Sequence, residues 1–188
     1  MARKVMLPNQ KRLKQLLHML PHPPEVGIPP GVTDSDIGEF MQRTGVTLPS
    51  QFRQWLKIAN GPYVDSRATF GIQTSTEYRD IEAIYHLLPV WKSKKWIPVA
   101  SDGCGNYYVV PTDQEYGEGY PVVFVEVMQG SDKPAYIVAS DVAHFLEFLM
   151  EDELKLAHAW PFDEAYVLRK DPEIAKFHDI SFPWSAEE

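Results

Sequence analysis

The segment SDGCGNYYVVP, residues 101–111, holds the residues best suited to chemistry. Its single cysteine, flanked by Gly103 and Gly105, is compatible with a reactive thiol, a phosphate-binding loop or a turn. A phosphate loop requires glycines that lead into a helix N-terminus. Here they lead into YYVV, which has the composition of a strand. We therefore interpret Asp102–Asn106 as a tight hairpin turn in which both glycines adopt conformations closed to other residues.

Nucleophilic catalysis by Cys104 would need a histidine base and a third group to orient that base. The six histidines, at positions 18, 22, 86, 144, 158 and 178, are dispersed along the chain and neither support nor exclude such a pair. A thiol in a loop, or one that is partly buried, is the simpler interpretation. The chain contains no CxxC, HxH, HExxH or GxSxG motif. We predict a protein that is not an enzyme, with no catalytic, metal or cofactor site.

The segment TDQEYGEGYP, residues 112–121, is the strongest candidate for a binding surface. It combines carboxylates with tyrosines on a backbone that contains glycine, a mixture found at protein interfaces. A solvated hairpin loop is the alternative. Two further aspartates, Asp102 and Asp132, are expected on neighbouring loops at one edge of the sheet. The predicted partner-binding residues are Asp102, Asp113, Glu115, Tyr116, Glu118, Tyr120 and Asp132.

The distribution of charge restricts the class of partner. The chain has a net charge of −8, with 18 basic and 26 acidic residues. Residues 1–24 hold five of the basic residues and no acid, so the remainder carries 13 basic and 26 acidic residues, a charge of −13. Such a body is repelled by phosphate backbones, which argues against direct nucleic-acid binding. A basic protein partner is favoured, although acidity can also serve solubility alone.

Hydrophobic periodicity divides the chain into three predicted segments. Residues 1–31 comprise a basic amphipathic helix at 9–20 and a linker with five of the 16 prolines. Residues 32–154 begin with a helix capped within Thr33–Asp36, continue through short strands and end in a helix capped by Ser140 or Asp141. Residues 155–188 form an aromatic and acidic extension, which is expected to dock onto the body.

The most distinctive helix signal is VTLPSQFRQWLKIANG, residues 46–61. Pro49 suits a first helical turn, and Phe52, Trp55 and Leu56 fall on one apolar face that should pack against the sheet. Asn60 and Gly61 can adopt the left-handed conformation that closes a helix. The later runs WIPVAS, YYVV, PVVFVEV and AYIVA are separated by gaps too short for crossover helices, which predicts an antiparallel meander.

Hydrophobicity, charge and cysteine content bear on cellular location. No run approaches the roughly 20 apolar residues that span a bilayer, and the N-terminus lacks the apolar stretch of a secretory signal. With one cysteine, no intramolecular disulfide can form, so a reducing compartment is permitted. We predict a cytoplasmic protein without membrane contact. A mitochondrial transit peptide is the alternative, because the N-terminus is basic and free of acids, although it is not rich in serine.

These motifs together resemble the SUKH superfamily, which includes fungal Smi/Knr-type cell-wall regulators and bacterial toxin-immunity proteins. The similarity covers about residues 33–153, and Asn106 and Pro62 depart from the usual pattern within turns. The residues that carry the match are Leu48, Pro49, Phe52, Trp55, Leu56, Asn60, Gly61, Ile97, Pro98, Ala100, Asp102, Gly103, Gly105, Asn106 and Tyr108.

The resemblance implies an α+β fold, with an antiparallel sheet of about five or six strands flanked by helices. It also implies a non-catalytic module that binds a cognate toxin, for which a basic nuclease domain is a candidate, without cofactors. A cell-wall or signalling scaffold is the alternative function.

Overall fold

A computed structural model of the chain describes residues 10–22, 27–64, 67–157 and 159–185. Within these ranges the helices are α1 (Gln10–Met19), α2 (Asp34–Thr44), α3 (Ser50–Leu56), α4 (Ile81–Leu87), α5 (Pro89–Lys94), α6 (Val142–Glu153) and α7 (Glu164–Lys170). The strands are β1 (Tyr63–Val64), β2 (Arg67–Ala68), β3 (Ile97–Ser101), β4 (Tyr107–Val110), β5 (Val122–Val125) and β6 (Tyr136–Ala139). Short 3-10 helices occupy Glu77–Arg79, Val127–Gln129, Pro172–Lys176 and Pro183–Ser185.

The sheet is the antiparallel meander that the short gaps between strands predict. Strands β3, β4, β5 and β6 pair in chain order, and β1 and β2 form a separate hairpin. An isolated bridge between Thr69 and Ala100 connects this hairpin to β3, next to a hydrogen bond of 2.9 Å from Phe70 N to Val99 O. The predicted α+β fold is confirmed, and the described residues hold six strands, divided between a four-stranded and a two-stranded sheet.

Helix α2 begins at a capping box. The Thr33 hydroxyl accepts a hydrogen bond from Asp36 N, and the Asp36 carboxylate accepts one from Thr33 N. Each residue thereby satisfies a backbone donor that the start of a helix leaves without a partner. Helix α6 begins in a similar way at Asp141, which accepts from His144 N. Of the two predicted caps for α6, the structure uses Asp141.

The prediction that Asn60 and Gly61 close helix α3 is wrong, because α3 ends four residues earlier, at Leu56. The Asn60 amide instead clamps a distant loop: its Nδ2 donates to Ile72 O at 2.8 Å, and its Oδ1 accepts from Ile72 N at 2.9 Å. Gly61 has a φ of 69°, and a Cβ there would lie 3.1 Å from Gly71 N. The motif therefore joins two chain segments.

A single hydrophobic core draws residues from all three predicted segments. Trp55 and Phe52 of α3 are fully buried, as their helical spacing predicts. The ring centroid of Tyr108 in β4 lies 4.8 Å from that of Phe145 in α6 and 6.0 Å from that of Trp160 in the C-terminal extension. The division into three domains stays a prediction, and residues 1–9, 23–26, 65–66, 158 and 186–188 of the predicted segments lie outside the described ranges.

Both terminal segments meet α6 at one carboxylate. Glu151 is 6% exposed and accepts hydrogen bonds from Arg12 of α1 at 2.8 Å, and from Tyr166 and Lys170 of α7 at 2.5 Å each. Burial acts to raise the pKa of the Glu151 carboxyl, but the hydrogen bonds from these three donors outweigh burial and lower it. Glu151 therefore remains charged and holds α1 and α7 against α6.

A second polar cluster joins the start of α6 to the end of α7. The Asp171 carboxylate is fully buried and accepts hydrogen bonds from Ser140 N at 2.6 Å and Ser140 Oγ at 2.5 Å. The imidazole Nδ1 of His144 lies 3.2 Å from Asp141 and 3.8 Å from Asp171. Burial lowers the pKa of His144, but the hydrogen bond to Asp141 and the charges of Asp141, Asp171 and Glu147 raise it above its ordinary value.

None of the helices in the described ranges has the length and apolar character needed to cross a membrane. The apolar face of the predicted amphipathic helix α1 is buried, as shown by Leu13, Leu16 and Leu17.

Replacing Glu151 by glutamine should lower the free energy of unfolding by about 3 kcal/mol, because Arg12 loses its charged partner and Lys170 keeps only Glu147, while the guanidinium and ammonium groups stay partly buried. Urea denaturation followed by circular dichroism measures this change. Glu147→Gln is the matched control, since Glu147 contacts only Lys170 among these donors. An equal loss in both variants would contradict the central role of Glu151.

Stability should also fall as the pH rises through the raised pKa of His144. The folded state binds the imidazole proton more tightly than the unfolded chain, so this contribution is complete below the unfolded pKa of about 6.5 and is lost above the folded value. Urea denaturation across this range should show a weaker pH dependence for His144→Gln than for the wild type. His86→Gln, at an exposed position on α4, is the control for the replacement of a histidine by glutamine.

Candidate partner-binding surface

The predicted partner-binding residues lie on three connections of the four-stranded sheet. Asp102 lies in the β3–β4 turn, Asp132 lies in the β5–β6 connection, and the other five lie in the β4–β5 loop. The β4–β5 loop follows the opposite end of β4 from the turn that contains Asp102. The seven residues therefore do not form one cluster.

The turn between β3 and β4 is organised by Asp102 itself. Its Oδ1 accepts hydrogen bonds from Cys104 N at 2.7 Å and Asn106 N at 3.0 Å, and its Oδ2 accepts from Asn106 Nδ2 at 2.8 Å. Gly103 and Gly105 have φ values of 80° and 97°, which other residues rarely adopt. The Asp102 carboxylate is thus engaged by its own turn, and Cys104 is exposed at the tip.

The β4–β5 loop is held at two points and exposed between them. Thr112 Oγ1 donates to Lys95 O at 2.7 Å at its start. Tyr116 is 6% exposed, and its carbonyl accepts a hydrogen bond of 3.1 Å from His178 N of the C-terminal extension. Tyr116 therefore anchors the loop and presents no ring to a partner. Tyr120, near the end of the loop, is 37% exposed.

The three carboxylates of this loop, Asp113, Glu115 and Glu118, are exposed. None of them forms a salt bridge with another residue that the structure describes. By contrast, most salt-bridged carboxylates lie on helices, as do Glu82, Glu147, Glu151 and Asp152. Asp113 Oδ1 accepts a hydrogen bond of 3.3 Å from Glu115 N within the loop, but none of the three charges is compensated by an ion pair among the described residues.

A groove of about 540 Å³ separates this loop from two other segments. Glu115 and Tyr116 line one side, and Lys133, Pro134, Ala135 and Asp179–Ser181 line the others. Asp132 precedes Lys133 and is exposed. We call this groove the acidic groove, because two carboxylates, Glu115 and Asp179, line it together with one ammonium group, that of Lys133. The surface suits a basic partner.

The C-terminal extension also covers the outer edge of the sheet. Ile137 N of β6 donates a hydrogen bond of 3.0 Å to Ser181 O, so β6 does not offer this donor to another chain. Sequence reasoning missed Asp179–Ser181 as part of the acidic groove, because no local motif distinguishes them. Only the aromatic residues of the extension indicated that it would dock.

The described residues contain no assembled metal site. No group of three or more histidine, cysteine, aspartate or glutamate side chains there is placed to hold a metal ion. His158, one of the histidines considered as a base for Cys104, lies outside the described ranges.

Comparison with known proteins agrees with this architecture. The model of the SMI1 / KNR4 family (SUKH-1) matches residues 31–147, which run from the segment before α2 into α6. No curated protein matches the chain. The matched segment contains the β3–β4 turn and the β4–β5 loop, which we call the acidic loop. Helices α1 and α7 and residues Asp179–Ser181 lie outside it.

Asp102→Ala should lower the free energy of unfolding by about 1–2 kcal/mol, because the variant leaves two backbone donors of the turn without their acceptor. Asp102→Asn keeps one acceptor oxygen and should cost less. Thermal denaturation of the wild type and the two variants checks this order of stability. A fully stable Asp102→Ala variant would show that the carboxylate does not hold the turn.

Proposed function

Because the chain belongs to the SMI1 / KNR4 family (SUKH-1), we propose that it is a non-catalytic module that neutralises a bacterial toxin by stoichiometric binding. Membership of this family is consistent with an immunity protein or with a cell-wall regulator. The observation that favours an immunity role is the β4–β5 loop beside the acidic groove, whose three carboxylates are exposed and have no salt-bridge partner among the described residues. A basic toxin domain, such as a nuclease, has the complementary charge.

In this mechanism, the carboxylates act first on encounter. Opposite charge on the two surfaces raises the rate of association, an effect that salt screens. The negative charge of the whole chain, −8, adds to this attraction at longer range. The inhibitor then covers the toxin's own substrate site, so inhibition requires one copy per toxin and no turnover.

The anchoring of the loop contributes to the lifetime of the complex. Tyr116 is buried, and the ring of Phe177 lies under Gly119, 3.3 Å from where a Cβ would stand. A loop fixed before binding loses less conformational entropy when the partner docks. The partly exposed ring of Tyr120 supplies aromatic area at the rim.

The same charges argue against direct nucleic-acid binding, since a phosphate backbone is repelled by this surface. A cytoplasmic location forms part of the proposal. The exposed thiol of Cys104 is compatible with a reducing compartment.

The triple variant Asp113→Lys, Glu115→Lys, Glu118→Lys should weaken binding to the toxin by about tenfold or more, because it replaces attraction by repulsion at three exposed positions. Calorimetric titration with the toxin-like polypeptide encoded beside this protein gives the affinity and the stoichiometry. Inhibition of toxin activity, followed in parallel, should be lost at the same ratio of the two proteins.

The matched control carries the same charge change elsewhere: Asp34→Lys, Glu39→Lys, Glu164→Lys, on α2 and α7. It should retain most of the affinity, and both variants should show the wild-type circular dichroism spectrum. Equal weakening in the two variants would remove the acidic loop from the interface. A failure of the wild type to bind a folded, active toxin would favour the cell-wall or signalling scaffold instead.

A further inference from the structure

A second groove, of about 560 Å³, lies at the opposite end of β4 from the acidic loop. The rings of Phe70 and Tyr107 line it, with their centroids 5.9 Å apart. Tyr78 and Leu87 form one wall, and the glycine-bearing β3–β4 turn forms the other. We call this the aromatic groove.

Large apolar side chains of the aromatic groove are exposed to solvent. Tyr78 is 59% exposed and Leu87 is 65% exposed, although both are large hydrophobic side chains. Scattered exposed hydrophobic residues are ordinary, but two that line the same groove above a buried aromatic floor indicate a contact surface. Phe70 is fully buried and provides that floor.

The walls are fixed by polar contacts. The Arg79 guanidinium lies 4.3 Å from the centroid of the Tyr63 ring and donates to Gly61 O at 2.8 Å and Thr76 Oγ1 at 2.9 Å. The Tyr63 hydroxyl is hydrogen-bonded to the Tyr78 hydroxyl. On the other side, the Asp102 carboxylate holds the turn in shape. The groove is therefore formed before any ligand arrives, which favours binding.

The exposure of its walls distinguishes this groove from a small-molecule pocket. Small-molecule sites bury most of their ligand, whereas both Tyr78 and Leu87 here are more than half exposed and the glycines opposite them are exposed as well. Such a surface fits a chain segment that lies across it. Glu77 is the one carboxylate in its lining, and no cationic side chain of the described residues accompanies it there.

From these observations we propose that the aromatic groove binds a segment of a protein partner that presents an apolar side chain beside a lysine or arginine. The apolar side chain lies on Tyr107 between the two walls, with Phe70 packed beneath that ring, and the cation faces Glu77. This assignment rests on the proposed function in that the partner is a protein. It identifies a second contact surface, separate from the acidic groove.

The direct test uses the ¹⁵N-labelled protein and two synthetic peptides. Both peptides have a central Leu-Phe pair. Lysines flank this pair in the first peptide, and glutamates flank it in the second. The lysine peptide should shift the amide resonances of Tyr78, Leu87, Gly103 and Gly105, and should bind about tenfold more tightly than the glutamate peptide. Leu87→Asp should abolish these shifts. Met128→Asp is the matched control, since Met128 is 96% exposed and does not line the groove.

An absence of groove shifts at millimolar concentrations of the lysine peptide, or equal binding of both peptides, would overturn the proposal. Dimerisation of the free protein that Leu87→Asp abolishes would also overturn it, by assigning the groove to a second copy of this chain.

The toxin titration separates this proposal from the proposed function. If the toxin binds the wild type and Leu87→Asp equally well and the peptide causes no shifts, the aromatic groove is not a docking site and the immunity role stands. If the peptide binds in the groove and the toxin does not bind at all, the groove proposal stands and the immunity role is wrong.

Discussion

The arrangement of helices α1 and α7 depends on the hydrogen bonds that the buried carboxylate of Glu151 accepts. A charge that is withdrawn from water must be compensated by partners at close range. Here the partners come from α1 and α7, which lie at opposite ends of the sequence. Because α7 is fixed in this way, the chain that follows it reaches β6, where Ser181 covers a backbone donor of the sheet edge. The same segment places Asp179–Ser181 along the acidic groove, so one wall of that groove follows a helix that Tyr166 and Lys170 attach to Glu151.

Much of the fold was predictable because it depends on local chemistry. The capping residues before α2, the apolar face of α3 and the short strand runs each act within a few residues of themselves, and the structure shows them in those roles. Asn60 and Gly61 were misassigned for the opposite reason. Their sequence is typical of a helix end, but the Asn60 amide is used by Ile72, twelve positions later. A long-range contact of this kind leaves no pattern in the neighbouring residues.

The candidate site was only partly predictable, because residue type does not indicate which carboxylates are already engaged. Asp102 and Glu118 are equally acidic in the sequence, yet the oxygens of Asp102 accept three hydrogen bonds from its own turn. Tyr116 and Tyr120 differ in the same way, since the first is buried as an anchor and the second is partly exposed. The exposed part of the candidate surface is therefore smaller than the predicted set of seven residues. It also includes Asp179–Ser181, which composition alone could not identify.

The two grooves differ in which parts of the chain build them, and this bears on how one fold can serve different partners. Every residue that lines the aromatic groove lies within the segment 31–147 that matches the family. The acidic groove takes one wall from that segment and another from residues 179–181 beyond it. On the proposed function, a change in the C-terminal extension alters the acidic groove while the sheet and the β3–β4 turn keep their geometry, because the turn is held by its own hydrogen bonds. Selectivity for a partner can therefore be adjusted through the extension, provided that the contacts to Glu151 keep α7 in place.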